Sequence, residues 1–187
     1  MTRLNKNHFF SAVLIIITAA IANQFIPVYV KPVLKLTLSQ NQVGISDINQ
    51  PRKISETKIV WVDKLNLYQN NSLTHPKLGA IGWGERFFID MRTEFDVKKT
   101  ANYLFIAGSD DGFKLTVNGK VICHYDNDRG FSKQTCRAKL IEGKNNLELN
   151  YFQGYGLSGL VLEYKKVGEK KTRYWGEDSQ ELSILHQ

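Results

Sequence analysis

The chain has 187 residues, enough for one domain and something besides, and a formal net charge of +7. Arg3 and Lys6 supply part of that charge at the very start, and Lys165, Lys166, Lys170, Lys171 and Arg173 gather much of the rest near the end. The histidines are His8, His75, His124 and His186, and no HExxH, GxSxG, CxxC or glycine-rich phosphate loop is present, which argues against an enzyme.

Phe9 to Ala22 reads FFSAVLIIITAAIA behind a short basic leader. Such a run is favourable in hydrocarbon at nearly every residue and is rare in soluble helices. As a signal peptide it would be cleaved after Ala22, behind the small-residue triplet Ala20-Ile21-Ala22. As an anchor it would continue through residues 9–30, past Asn23, Gln24 and Pro27, reaching the roughly 20 residues a bilayer demands. Both readings predict export: a protein held in the membrane and facing the periplasm or cell surface, or one secreted after cleavage. Residues 31–56 are polar and include Pro32 and Pro51, which reads as a tether with one strand in Val33 to Leu38.

From Lys58 onward the pattern is β almost throughout. Lys58 to Val62 is a short β-branched run. In Arg86 to Val97 the apolar positions Phe87, Ile89, Met91, Phe95 and Val97 alternate, with a slip at Thr93 that suggests a bulge. Ala101 to Ala107 is apolar enough for a central strand. Phe113, Leu115 and Val117 alternate with Lys114 and Thr116, and Asn118-Gly119 turns the chain into a return strand from Lys120 to Tyr125. Gln134 to Leu140, Asn145 to Phe152 and Leu157 to Tyr164 complete the set. No segment beyond residue 40 holds a helical period. Many short strands separated by turns predict an all-β fold, an antiparallel β-sandwich or Greek-key barrel, preceded by the N-terminal hydrophobic helix.

Cys123 and Cys136 flank a short excursion between strands. Two thiols so close predict a disulfide, which persists in an oxidising compartment and agrees with export. Cys123 beside His124 is a poor catalytic pair, because neighbours on a strand point to opposite faces. A nucleic-acid partner is set aside, since an exported domain rarely meets one. The C-terminal lysines read as a strand end facing an acidic lipid or glycan surface, or as a plain charged rim.

Gly108-Ser109-Asp110-Asp111-Gly112 is the strongest cluster. Adjacent carboxylates repel, which a chain tolerates in solvent or around a cation, so an acidic turn and a metal site both fit. Asp126-Asn127-Asp128 resembles the start of a calcium loop but lacks a downstream bidentate Glu, and reads as a polar turn. Trp83 and Tyr155 are candidates to stack on a pyranose face, and Trp175 to pin the C-terminal tail onto the sandwich.

The run YLFIAGSDDGFKLTVNGKVI (Tyr103 to Ile122), with LIEGKNNLELNYFQGYGLSGLVLEY (Leu140 to Tyr164), resembles the protective-antigen domain family. That family is named for part of anthrax protective antigen and also occurs in flocculins, adhesins and β-glucosidase inserts. The stretch Gly79 to Val97 resembles its entry strand. The resemblance implies a β-sandwich over residues 57–166, followed by a tail over residues 167–187. For sugar-binding members it also implies a calcium ion held by Asp110 and Asp111 across a cis peptide. The loop from Tyr151 to Ser158 would complete the ligand set, with Gln153 where lectin members place an Asn. The resulting expectation is an exported, calcium-assisted carbohydrate-binding module whose partner is a glycan or cell-envelope component. The alternative is an envelope protein-interaction module of the same fold with neither sugar nor metal.

Overall fold

The computed structural model describes residues 10–18 and 29–185. It shows a helix over residues 10–18, and most of the rest of the expected signal or anchor segment lies outside the described residues. Among the described residues no helix is long and apolar enough to cross a membrane.

The remainder is strand and loop. The strands are β1 (Leu34–Asn41), β2 (Ile54–Val62), β3 (Asn66–Leu67), β4 (Thr74–His75), β5 (Gly79–Ala80), β6 (Phe87–Val97) and β7 (Ala101–Asp110). There follow β8 (Phe113–Val117), β9 (Lys120–Tyr125), β10 (Ser132–Leu140), β11 (Gly143–Gln153), β12 (Gly159–Lys166), β13 (Arg173–Tyr174) and β14 (Leu182–Ile184). One sheet runs β2-β1-β6-β11-β8-β9, with β14 also on β6; the second runs β10-β7-β12-β13, with β3 also on β12. Every pairing between strands is antiparallel.

Period-two alternation decides which side chains meet. Phe113, Leu115 and Val117 turn inward, as do Leu147, Leu149 and Tyr151, and the inner faces of both sheets share one core. Thr93 is a correction to the expected bulge. The β6–β11 register runs unbroken past Thr93, opposite Leu147, and Thr93 is buried among the inward positions. A polar residue is tolerated there because the Trp175 indole N–H lies 3.5 Å from its hydroxyl. Trp175 itself is fully buried, edge-on to Phe95 and Tyr164.

The sandwich is larger than the span 57–166. The expected tether supplies β1, which lies between β2 and β6 and buries Leu34, Leu36 and Leu38. Each such burial is worth roughly 1.5–3 kcal/mol. The rest of that segment folds over Phe88 and Phe152, burying Ile45 and Ile48. The expected tail supplies β13, Trp175 and β14, the last paired with the Val97 end of β6.

Cys123 and Cys136 are bridged, with Cα atoms 5.8 Å apart. They stand on β9 and β10, the outer strands of opposite sheets, so the bond ties the sandwich across its open side. A closed loop of this length contributes about 3 kcal/mol in the chain-entropy account.

Candidate ligand-binding cleft

β7 delivers Ser109 and Asp110 to one end of the sandwich, and the chain turns through Asp111 and Gly112 into β8. The Asp110–Asp111 peptide is cis, as the resemblance implies. Gly112 is required by space alone, since a Cβ there would come within 2.4 Å of the Phe152 ring and 2.7 Å of the Tyr125 carbonyl oxygen. Neither carboxylate is on the open surface: Asp110 is 4% exposed and Asp111 5%.

Backbone donors hold both acids. Asp111 accepts from the Gly154 N–H at 2.7 Å and the Arg129 N–H at 3.2 Å. Burial nonetheless pushes its carboxyl up to about 6, against those two donors and with help from the neighbouring Asp110 and Asp128 charges. Burial also raises Asp110, opposed by the Phe131 N–H and the Arg129 charge. Beneath them Ser109 Oγ donates to the Asp111 carbonyl at 2.7 Å and accepts from Arg129 Nη2 at 2.8 Å. The Arg129 guanidinium lies 4.4 Å from the Tyr125 ring centroid and 5.4 Å from that of Phe113.

The floor is fixed by Tyr151, which is fully buried. Its hydroxyl has the Asp110 carbonyl and Gln153 Oε1 as acceptors and receives the Gly159 N–H. Gln153 in turn donates Nε2 to the Leu157 carbonyl at 2.8 Å. The side chain expected as a third metal ligand is thus fully buried and hydrogen-bonded at both ends. It shapes the loop that carries Tyr155 and Leu157.

Above this floor opens a cleft of about 360 Å³ lined by Asp110, Asp111, Asp128, Arg129, Tyr155 and Leu157. Tyr155 is 60% exposed and packs one edge against Gly44. Trp83 is not among the lining residues. It packs on the core beside Phe87, with Lys58 Nζ 4.4 Å from its ring centroid. The tertiary fold adds residues that the sequence pattern left aside, Asp128 and Arg129 from the disulfide-closed excursion and Leu157 from the site loop.

The donor set fits a hard cation in chemistry. A Cβ on Gly154 would stand 2.5 Å from the Ile45 carbonyl, 3.3 Å from Asp111 Oδ2 and 3.4 Å from Asp128 Oδ1, so three oxygens from distant segments converge on one point. Among the described residues no three His, Cys, Asp or Glu side chains form a metal cage by themselves. Backbone carbonyls and a ligand's own oxygens would have to complete the shell.

No family model matches the chain, and no curated protein sequence matches it. Solved structures do. The PA14 domain of the antifreeze protein MpAFP superposes with a TM-score of 0.61 at 13% identity, over 80% of this chain and 90% of that one. A PA14 sugar-binding domain from an RTX adhesin gives 0.56 at 15% identity, over 76% and 93%. The A domain of Candida glabrata epithelial adhesin 9, in complex with Galb1-4GlcNAc, gives 0.58 at 11% identity, over 85% and 92%. The two facing sheets, twelve strands with the β4–β5 pair beside them, have the fold of these PA14 domains.

Proposed function

We propose that the Asp110–Asp111 cleft binds a glycan with the help of a calcium ion, and that the protein works as an extracytoplasmic carbohydrate-binding module. The observation that carries this reading is the pair of buried carboxylates at the base of an open cleft, with the exposed ring of Tyr155 beside it. Similarity in fold to a sugar-binding adhesin domain and to an epithelial adhesin domain in complex with Galb1-4GlcNAc supports it. The disulfide supports an oxidising compartment outside the cytoplasm.

Asp110 and Asp111 would hold the ion, with Asp128 beside Asp111 at Gly154. When bound, calcium supplies positive charge and coordination positions for sugar hydroxyls. The chain's own residues do the rest. The Gly154 and Arg129 amides fix the Asp111 carboxylate, and Tyr151 fixes the Asp110 backbone. Tyr155 offers a flat apolar face to a pyranose ring. Leu157 adds apolar surface to one wall.

The test is thermal melting in millimolar calcium and in chelator, together with a glycan array. Calcium at one hundred times its dissociation constant raises stability by about 2.7 kcal/mol if it binds only the folded chain. Asp110→Ala and Asp111→Ala abolish the gain and the glycan signal, and Tyr155→Ala lowers the glycan signal while sparing the calcium shift. Identical melting in calcium and chelator, with no glycan retained, would overturn the proposal in favour of a protein-interaction module.

A further inference from the structure

The end of the sandwich remote from the cleft has the opposite character. β7 runs from Ala101 to Asp110, so its far end lies about 30 Å from the acids at a strand's rise per residue. Register brings to that end the β6–β7 turn with Lys98 and Lys99, the start of β9 with Lys120, the end of β10 with Lys139, and Lys144 on β11. All five side chains are exposed, and among the described residues none of them forms an ion pair. Lys170 and Lys171 extend the set beyond β12. The carboxylates nearby are largely engaged or few: Glu169 is 3.2 Å from Arg173, Glu181 is 4.0 Å from Lys166, and Glu94, Asp96 and Glu142 remain.

Apolar side chains stand among these lysines. Ile141, in the turn after β10, is 51% exposed, and Val167, directly after β12, is 42% exposed. They share one face of the end, since Lys139 pairs with Asn102 and the Asn102 carbonyl accepts the Val167 N–H at 2.9 Å. At the same end the sheets part into a cleft of about 440 Å³ between β9 and β10. Val117, Val121 and Ala138 line it, and Lys120, Arg137 and Lys139 edge it. A purely solvated charged rim needs neither the exposed aliphatic residues nor a cleft with three cations and no acid lining it.

We propose that this basic end docks on an anionic lipid bilayer. Its lysines meet the headgroup phosphates, Ile141 and Val167 enter the headgroup layer, and the β9–β10 cleft receives one headgroup. Electrostatic attraction brings the surface down and shallow apolar insertion holds it, which is the combination that peripheral binding requires. The docked domain would present the Asp110–Asp111 cleft on its far side. The proposal does not depend on the glycan reading and is distinct from any insertion of residues 9–30.

Full-length protein is tested in chelator against two kinds of vesicle, pure phosphatidylcholine and phosphatidylcholine with about one third phosphatidylserine. The N-terminal apolar segment contributes to both, so the readout is the ratio of the two partition constants. Each lysine at an anionic surface contributes about fivefold, so Lys98→Gln, Lys99→Gln and Lys144→Gln together should lower that ratio on the order of a hundredfold. Lys53→Gln with Lys77→Gln, neither of them in this set, should change it little, and Ile141→Ser should lower binding several-fold. These are exposed side chains, so melting curves of the variants should match the parent and show that folding is intact. Equal partition onto both vesicles overturns the proposal, as does equal loss in the control variant. Retention on a sulfated polysaccharide without vesicle preference also overturns it, by assigning the end to a glycan instead.

Discussion

Asp111 concentrates the chemistry of the cleft in one carboxyl. In the unfolded chain it titrates near its ordinary value of 3.8, and in the folded chain near 6. The folded state therefore holds the extra proton between those values, and stability falls as pH rises through that window. Above about pH 6 the whole penalty stands, at most about 3 kcal/mol, unless a cation relieves it. In chelator the melting temperature should decline from about pH 4 to about pH 7, and Asp111→Asn should flatten that decline, keeping an acceptor oxygen for one of the two amides, Gly154 or Arg129, that bond separate carboxylate oxygens. Parallel pH profiles for the two proteins would show that this carboxyl is not the source. The Asp pair was legible in the sequence because two adjacent acids between glycines are conspicuous. Arg129 was not, since nothing local says that its guanidinium will settle between Tyr125 and Phe113.

Among the elements, β1 departs most from its sequence appearance. Leu34, Leu36 and Leu38 alternate with Lys35 and Thr37, which is a strand pattern, but the polar residues after them suggest a tether. In the fold, β1 pairs with β2 on one edge and β6 on the other, an interior position that short-range composition cannot reveal. A chain beginning at residue 57 lacks all three leucines and leaves that edge of β6 open. Since each leucine burial is worth roughly 1.5–3 kcal/mol and a domain's whole stability is about 5–15 kcal/mol, such a chain should not fold. Circular dichroism and urea titration, compared with the full chain, check this; a cooperative transition in the shortened chain would show that β1 is dispensable. β14 teaches the same lesson at the other terminus, where Leu182 and Ile184 pair with β6 beyond the end of β1.

At the scale of the whole molecule the sandwich is bipolar. Asp110, Asp111 and Asp128 mark one end, and Lys98, Lys99 and Lys144 the other. A separation of about 30 Å along β7 exceeds the Debye length of roughly 8 Å at physiological salt, so charge at one end is screened from the other. The effects of Asp111→Asn and of Lys98→Gln with Lys99→Gln on melting should therefore add within about 0.5 kcal/mol, as is usual for distant sites. A larger interaction energy in the double-mutant cycle would reveal coupling through the sheets.

The sequence alone determined the longer strands from Lys58 to Tyr164, the inward face of β8, the Asn118-Gly119 hairpin and the cysteine pair. These rest on local rules: period-two alternation, the positive φ of a tight turn, and the short separation of two thiols. Only the tertiary structure decided that β1 and β14 flank β6, that Thr93 faces inward to meet Trp175, and that the disulfide spans the two sheets. It alone brought Asp128 to Asp111, turned Gln153 inward to Tyr151 and kept Trp83 on the core. Contacts between residues far apart in the chain are set by how two sheets stack and register, and no window of neighbouring residues contains that information.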